Sequence, residues 1–206
     1  MKINYLKFKL LAAGALFSLF AQDVSGQLSG NYTINSANAT AGTNFQTFND
    51  LEAALTTSGI TGPVTVDVAP GSGPYNEQVL FTSVTGASAN NRITINGNGN
   101  LITYNASSGA RYTMGFDGAD FFTVNDLDMA GTGSYAYTCL LFGGADYNMF
   151  SNCSFSVNAN VTSSNYIPVV VSGSGTSYSS SSNSGQYNTW IDCDMFSGYI
   201  GVSFYG

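Results

Sequence analysis

One short phrase occurs three times in this sequence and constrains the fold more than any other feature. The copies read GADFFTVNDLDM (118–129), GADYNMFSNCSF (144–155) and SGQYNTWIDCDM (184–195). In each copy, apolar and polar residues alternate on both sides of one Asp or Asn. Alternation with a period of two predicts strands, and Asp or Asn tolerates the left-handed backbone of a sharp bend. Each phrase is therefore predicted to form a strand, a bend and a second strand.

Aligning the three copies assigns a direction to each column of side chains. The apolar columns are predicted to point inward, and they contain Val124, Phe150 and Trp190; Leu127, Cys153 and Cys193; and Met129, Phe155 and Met195. The bend column is predicted to bond from one turn to the next, and it contains Asp126, Asn152 and Asp192. The remaining polar column is predicted to point outward, and it contains Asp128, Ser154 and Asp194.

A second strand pattern alternates with the phrase. Its four copies begin at Tyr112, Tyr137, Tyr166 and Tyr199. A unit this short cannot bury its apolar side alone, whereas stacked copies can. Parallel strands coiled in successive turns, about 4.8 Å apart, satisfy both the pattern and the backbone. We therefore predict an all-β parallel β-helix, which the usual crossover rule makes right-handed.

One short helix is predicted ahead of the repeats, as a cap on the first turn. Thr47 can cap its N-terminus, Asp50 lies in its first turn and Gly59 can end it. Its apolar face contains Phe48, Leu51 and Leu55. A strand with one apolar side follows, formed by Val64, Val66 and Val68. The segments EQVLFTSV, NRITING and LITYN are predicted to be further short strands, and residues 31–44 a loop.

The first 26 residues have the order of a secretory signal peptide. A Lys-containing start, MKINYLKFK, precedes the apolar run LLAAGALFSLFA and the small residues of QDVSG. The run is too short to span a membrane, although a retained anchor is the alternative. Cleavage is predicted after Gly26 or Ala21, which makes the protein secreted or cell-surface. We assign 1–26 to the signal peptide, 27–44 to a linker and first strand, and 45–206 to the β-helix.

Two segments resemble known protein classes. Residues 45–81, FQTFNDLEAALTTSGITGPVTVDVAPGSGPYNEQVLF, resemble the start of pectin lyase-like β-helix proteins. Those proteins begin with a capping helix, a valine-rich strand and a Gly–Tyr–x–Glu turn. The signal peptide followed by QLSGNYTIN resembles bacterial surface proteins that are exported by type IX secretion. The resemblance implies the β-helix fold for residues 45–206 and export from a bacterium.

Charge limits the partners of the chain. The formal net charge is −7, and only Arg92 and Arg111 remain as cations once residues 1–26 are removed. Nucleic acids and anionic lipids need clustered Lys and Arg, so neither is an expected partner. No apolar run after the leader is long enough to span a membrane.

The three cysteines do not describe a disulfide framework, because their number is odd. No cysteine spacing suggests zinc, and the sequence contains no His. Cys153 and Cys193 fall in one inward column of neighbouring turns. They are predicted to lie there as buried thiols; a disulfide, with Cα atoms about 4.4–6.8 Å apart, is the alternative.

The catalytic patterns of pectin lyase-like enzymes are not met in these residues. The resemblance implies a basic residue beside calcium-binding acids, an Asp cluster with His, or two Asp with Gln and Arg. Arg92 and Arg111 lie outside the repeated strands, so no catalytic residue is assigned. Asp128 and Asp194 are two turns apart, roughly 10 Å, a spacing that does not support one shared calcium ion unless loops also supply ligands. We therefore expect no metal or cofactor, although an inverting hydrolase tolerates carboxyls about 6.5–9.5 Å apart.

Recurring aromatic residues are the main candidates for binding. Their rings, if exposed along one face, would offer apolar surfaces to a linear glycan; the alternative is that each ring packs inward or against the next turn. The candidates are Tyr112, Tyr137, Tyr166, Tyr199, Tyr147 and Tyr187, with Phe121 in the same column as the last two.

These patterns predict a secreted or cell-surface β-helix that acts as an adhesive, glycan-binding or structural module. The alternative is a polysaccharide lyase, esterase or hydrolase whose catalytic turns lie beyond residue 206. The last stretch, YIGVSFYG, stops in the middle of a predicted turn. An open end exposes unpaired backbone, so further turns or a capping partner are expected after Gly206.

Overall fold

A computed structural model of the protein describes residues 26–158 and 160–206. The predicted signal peptide, apart from Gly26, lies outside these described residues. The fold is mostly β, with parallel sheets and one short helix. In chain order the elements are β1 (Leu28–Ile34), β2 (Asn44–Phe45), α1 (Phe48–Ser58), β3 (Ile60–Val68), β4 (Tyr75–Asn76), β5 (Val79–Thr82), β6 (Ile93–Tyr104), β7 (Tyr112–Asp117), β8 (Phe122–Gly131), β9 (Ala136–Phe142), β10 (Met149–Ser151), β11 (Ser154–Val157), β12 (Tyr166–Val171), β13 (Thr189–Ile191), β14 (Asp194–Phe196) and β15 (Val202–Phe204).

From β5 onward the chain alternates between two parallel sheets. The first sheet has the order β13-β10-β8-β6-β3-β1-β2, with β4 beside β6, β11 beside β8 and β14 beside β11. The second has the order β15-β12-β9-β7-β5. One apolar core takes side chains from both sheets. For example, the ring of Phe116 in β7 lies 5.5 Å from that of Phe150 in β10, measured between centroids.

The register of the first sheet confirms the columns read from the repeated phrase. Phe150 pairs with Val124 on one side and with Trp190 on the other. Further along the same strands, Phe155 pairs with Met129 and Met195 in the same way. Because a slip of one residue would turn every side chain to the opposite face, these inward columns fix the register.

Helix α1 forms where the sequence predicts it. Thr47 and Asp50 form a reciprocal capping box, and Gly59 follows the last helical residue. The buried face contains Phe48, Leu51 and Leu55. The predicted apolar side of β3 is also buried, and it contains Val64, Val66 and Val68.

The carboxylate of Glu77 holds the N-terminus of α1 against the following turn. It accepts hydrogen bonds of 3.0 Å from the backbone N–H groups of both Phe48 and Asn49. The side chain of Asn49 donates a further bond of 2.6 Å to it. Helix N-terminal N–H groups lack partners within the helix, and a negative charge there is stabilising. Glu77 therefore fastens the helix to the sheets.

Two segments differ from the sequence-based prediction. Residues 31–44 are not one loop, because β1 extends to Ile34 and pairs with β3. The predicted strands NRITING and LITYN form one strand, β6, with an irregularity between Asn96 and Asn100. Asn98, at φ 51°, supplies the bend within that strand. The residues between Asn96 and Asn100 bend β6 locally, while its pairing with β8 continues on both sides of the bend.

The Ser-rich segment 175–185, GTSYSSSSNSG, covers part of the second sheet. Tyr178 packs against a small apolar cluster that includes Leu140 and Val170. The backbone carbonyl of Tyr178 accepts a hydrogen bond of 3.0 Å from the hydroxyl of Ser203. Low-complexity composition therefore does not prevent this segment from burying apolar surface.

Among the described residues, no helix is long and apolar enough to cross a lipid bilayer.

Candidate functional site

Three aromatic rings, one half-buried and two exposed, stack at the starts of neighbouring strands of the first sheet. The ring centroids of Phe121 and Tyr147 are 5.2 Å apart with planes at 3°, and those of Tyr147 and Tyr187 are 4.7 Å apart with planes at 7°. Tyr147 is 43% exposed and Tyr187 is 68% exposed. We call these three residues the aromatic column. Stacked rings cover one another's faces, so Tyr187 has the more open ring face of the two tyrosines.

Each member of the aromatic column adopts a left-handed backbone conformation. The φ angles are 61° at Phe121, 57° at Tyr147 and 56° at Tyr187. This conformation costs an ordinary residue roughly 1–2 kcal/mol and suits Gly or Asn far better than a bulky side chain. The backbone alone therefore does not explain why aromatic residues occupy this position three times.

Arg92 ties the base of the aromatic column to the sheet. Its guanidinium donates hydrogen bonds to the carbonyl oxygens of Phe122 (2.7 Å) and Tyr147 (2.8 Å) and to the hydroxyl of Thr123 (2.9 Å). It also lies 6.0 Å from the ring centroid of Phe121, within the range of a cation–π contact. Burial lowers the pKa of Arg92, although a guanidinium stays charged in proteins. Arg92 therefore serves the scaffold.

The acidic residues that directly precede members of the aromatic column accept hydrogen bonds from the backbone of the following turn. Asp120 accepts a hydrogen bond of 2.7 Å from the backbone N–H of Asp146, and Asp146 accepts one of 2.6 Å from that of Gln186. Burial raises the pKa of Asp120; the hydrogen bond from Asp146 opposes this shift, and the charge of Asp146 adds to it. These carboxylates therefore help to set the spacing of the rings beside them.

A buried asparagine ladder follows the column. The side-chain oxygen of Asn148 accepts from the N–H of Phe122 (2.9 Å), and its nitrogen donates to the carbonyl of Ala119 (2.8 Å). Asn188 repeats the arrangement one turn later, bonding the N–H of Asn148 and the carbonyl of Ala145. The sequence analysis missed this ladder, although the aligned phrases carry Asn at both positions.

The three bend residues have the predicted backbone conformation, but their side chains do not make the predicted hydrogen bonds. Asp126, Asn152 and Asp192 have φ angles of 50°, 51° and 50°, which confirms the left-handed bend. All three side chains are exposed, and none takes part in a hydrogen bond within the described part of the chain. The prediction that they bond from turn to turn is therefore wrong. Water can satisfy these exposed side chains, and the turn-to-turn bonds lie earlier in each phrase.

The tyrosines that begin the second strand pattern do not form one row. Tyr112 pairs with Tyr137, but Tyr166 pairs with Ala136. Tyr137 is 0% exposed and offers no surface to a ligand; its hydroxyl accepts a hydrogen bond from Arg111. Tyr112 and Tyr166 are half-buried, whereas Tyr199 is exposed. The four candidates therefore do not form one exposed row of rings.

The outward acid column has the predicted register. Ser154 pairs with Asp128 on one side and with Asp194 on the other, and both acids are exposed. The hydroxyl of Ser154 donates a hydrogen bond to Asp128. Across residues 26–158 and 160–206, no group of three or more His, Cys, Asp or Glu side chains is arranged to hold a metal ion.

The three cysteines are free thiols in the core or at its edge. Cys139 and Cys153 are buried, and Cys193 is half-buried. Burial raises the pKa of Cys153 to about 12, and it raises the pKa values of Cys139 and Cys193 as well. Because the thiolate is the reactive form, these thiols are expected to be inert in the folded protein.

Thiol accessibility provides a direct test of this packing. We expect iodoacetamide at pH 8 to modify Cys139 and Cys153 at least about tenfold more slowly in the native protein than in urea. Cys193, at the edge, should react before the other two. Site-resolved mass spectrometry measures the three rates, and rapid native labelling of Cys153 would contradict the buried column.

Comparison with protein-family models, curated proteins and solved structures found no match to this chain. The geometry of the exposed side chains therefore carries the functional argument. The aromatic column is its most distinctive part, because three strained positions carry rings of the same class.

Proposed function

We propose that this chain is a right-handed parallel β-helix from a secreted or cell-surface protein. The in-register apolar columns and the alternation of the chain between two parallel sheets support this fold. The hand follows from the crossover rule for parallel strands. Helix α1, which packs on β1, β2 and β5, serves as the cap of the first turn. The leader-like residues 1–26 and their resemblance to bacterial exported proteins support the location.

The module acts as an adhesive that binds glycans through its aromatic column. The observation that carries this proposal is the exposure of Tyr147 and Tyr187 at positions where the backbone favours another residue type. Ring faces pack well against the C–H groups of sugars, while tyrosine hydroxyls offer polar contacts at the rim. The open face of Tyr187 is the stacking surface, and Tyr147 supports it from below.

Replacing Tyr187 by Ala tests this role. We expect binding to soluble polysaccharides, measured by affinity gel electrophoresis, to weaken by about tenfold, the equivalent of about 1.4 kcal/mol. Thermal unfolding should change little, because the replaced side chain is mostly exposed. Tyr205→Ala is the matched control, since Tyr205 is exposed but lies outside the column.

Equal binding by the Tyr187→Ala variant and the unaltered protein would contradict the proposal. The same gels report on the alternative activity. Shortening of the polysaccharide during the run, with new reducing or unsaturated ends, would favour a hydrolase or lyase.

A further inference from the structure

A shallow groove lies on a different part of the surface from the aromatic column. Its volume is about 250 Å³, and it is lined by Asn76, Thr103, Tyr104, Asn105 and Thr132. The lining comes from the end of β4, from the end of β6 with the residue after it, and from the residue after β8. Asn76 and Thr103 pair across neighbouring strands, so the groove crosses successive turns.

The groove presents unused hydrogen-bonding groups. In the part of the chain that the structure describes, the side chains of Asn76, Thr103 and Asn105 make no hydrogen bond. The hydroxyl of Thr132 donates a hydrogen bond of 3.2 Å to the carbonyl of Tyr104. An amide side chain both donates and accepts, as does a hydroxyl. The lining therefore offers free hydrogen-bond donors and free acceptors beside one aromatic ring.

The chemistry of the lining selects a class of ligand. Anions are recognised by Arg and Lys, and hard metal ions by carboxylates, but the lining carries no charged side chain. A strongly apolar ligand would cover the amide and hydroxyl groups of Asn76, Thr103 and Asn105 without giving them hydrogen-bond partners. A neutral sugar fits, because its hydroxyls donate and accept while one of its faces can pack on a ring. The volume lies below that of typical drug-sized sites, which indicates a single sugar unit.

We propose that this groove binds one neutral sugar unit of a glycan chain, with the sugar against Tyr104 and its hydroxyls on Asn76 and Asn105. This inference rests on the proposed glycan-binding function and adds a second contact with the chain. It also names the substrate class: a neutral polysaccharide rather than a polyuronate. Since the groove is open, the glycan can continue beyond it on either side.

Affinity gels of the purified chain with galactan, mannan, xylan or polygalacturonate test this inference. We expect one of the neutral polysaccharides to bind, and Tyr104→Ala to weaken that binding by about tenfold. Asn105→Ala, at an exposed position, should weaken it by about threefold. If circular dichroism shows that Tyr104→Ala does not fold, the Asn105→Ala variant tests the inference by itself.

The variants separate the two proposals. If Tyr187→Ala weakens binding while Tyr104→Ala and Asn105→Ala do not, the groove inference is wrong and the aromatic column stands. Preferential binding of polygalacturonate overturns the neutral class. If the unaltered chain binds none of these polysaccharides, the proposed function itself fails, and the groove inference fails with it.

Discussion

Replacing Asn148 by Ala is expected to destabilise the protein by about 3 kcal/mol. The substitution leaves the N–H of Phe122 and the carbonyl of Ala119 without their partners inside the structure. An unsatisfied buried polar group costs about 1–3 kcal/mol, and two are created at once. Urea unfolding followed by circular dichroism measures the loss as a lower midpoint.

The control for this substitution is Asn125→Ala. Asn125 also belongs to an asparagine ladder, donating a bond of 3.0 Å to the side chain of Asn96, but it lies on the solvent side of the first sheet. Water replaces the lost partner there, so a change below about 0.5 kcal/mol is expected. Equal losses at Asn148 and Asn125 would show that burial does not set the strength of these ladders.

Replacing Glu77 by Ala is expected to destabilise the protein by about 2–3 kcal/mol. The loss removes three hydrogen bonds to a charged acceptor and a negative charge at the N-terminus of α1. Because α1 packs on β1, β2 and β5, detachment of the helix exposes the first turn. Hydrogen exchange should therefore quicken in α1 and β1 before it does in β9.

Two further variants isolate the role of the Glu77 charge. Glu77→Gln keeps the shape and one acceptor oxygen, so a loss of about 1 kcal/mol is expected. Glu52→Gln changes a half-buried acid of the same helix that accepts a hydrogen bond from the hydroxyl of Thr56, and should cost below about 0.5 kcal/mol. A Glu77→Ala variant as stable as the original would show that apolar packing alone holds the helix.

The register of the parallel strands could be predicted from the sequence because strand alternation has a strict period. Only one alignment places Val124, Phe150 and Trp190 in one inward column and keeps the bend residues in register after it. Helix α1 could be predicted as well, since Thr47 and Gly59 mark both of its ends.

Contacts outside this periodicity could not be predicted in the same way. The first phrase carries Phe122 where the other two carry Asn148 and Asn188, so the ladder lacks a complete column. The hydrogen bonds of the ladder join asparagine side chains to backbone groups of the preceding turn. The alternation of apolar and polar side chains does not predict these partners. The burial of Tyr137 depends on an apolar cluster against which Tyr178 packs, and Tyr178 lies in a Ser-rich segment without periodic pattern.

The Ser-rich segment 175–185 has a consequence for how such a protein changes over generations. It makes the connection between two turns longer, yet Phe150 and Trp190 remain paired across it. Insertions at this corner therefore leave the stack intact, because the ladder bonds and apolar columns do not measure the length of chain between turns. Residues of the loop that make no contact with the sheets can therefore change in number and kind, while Tyr178 and Asn188 stay with the scaffold. Related copies of such a protein can thus differ most in what they present to their surroundings.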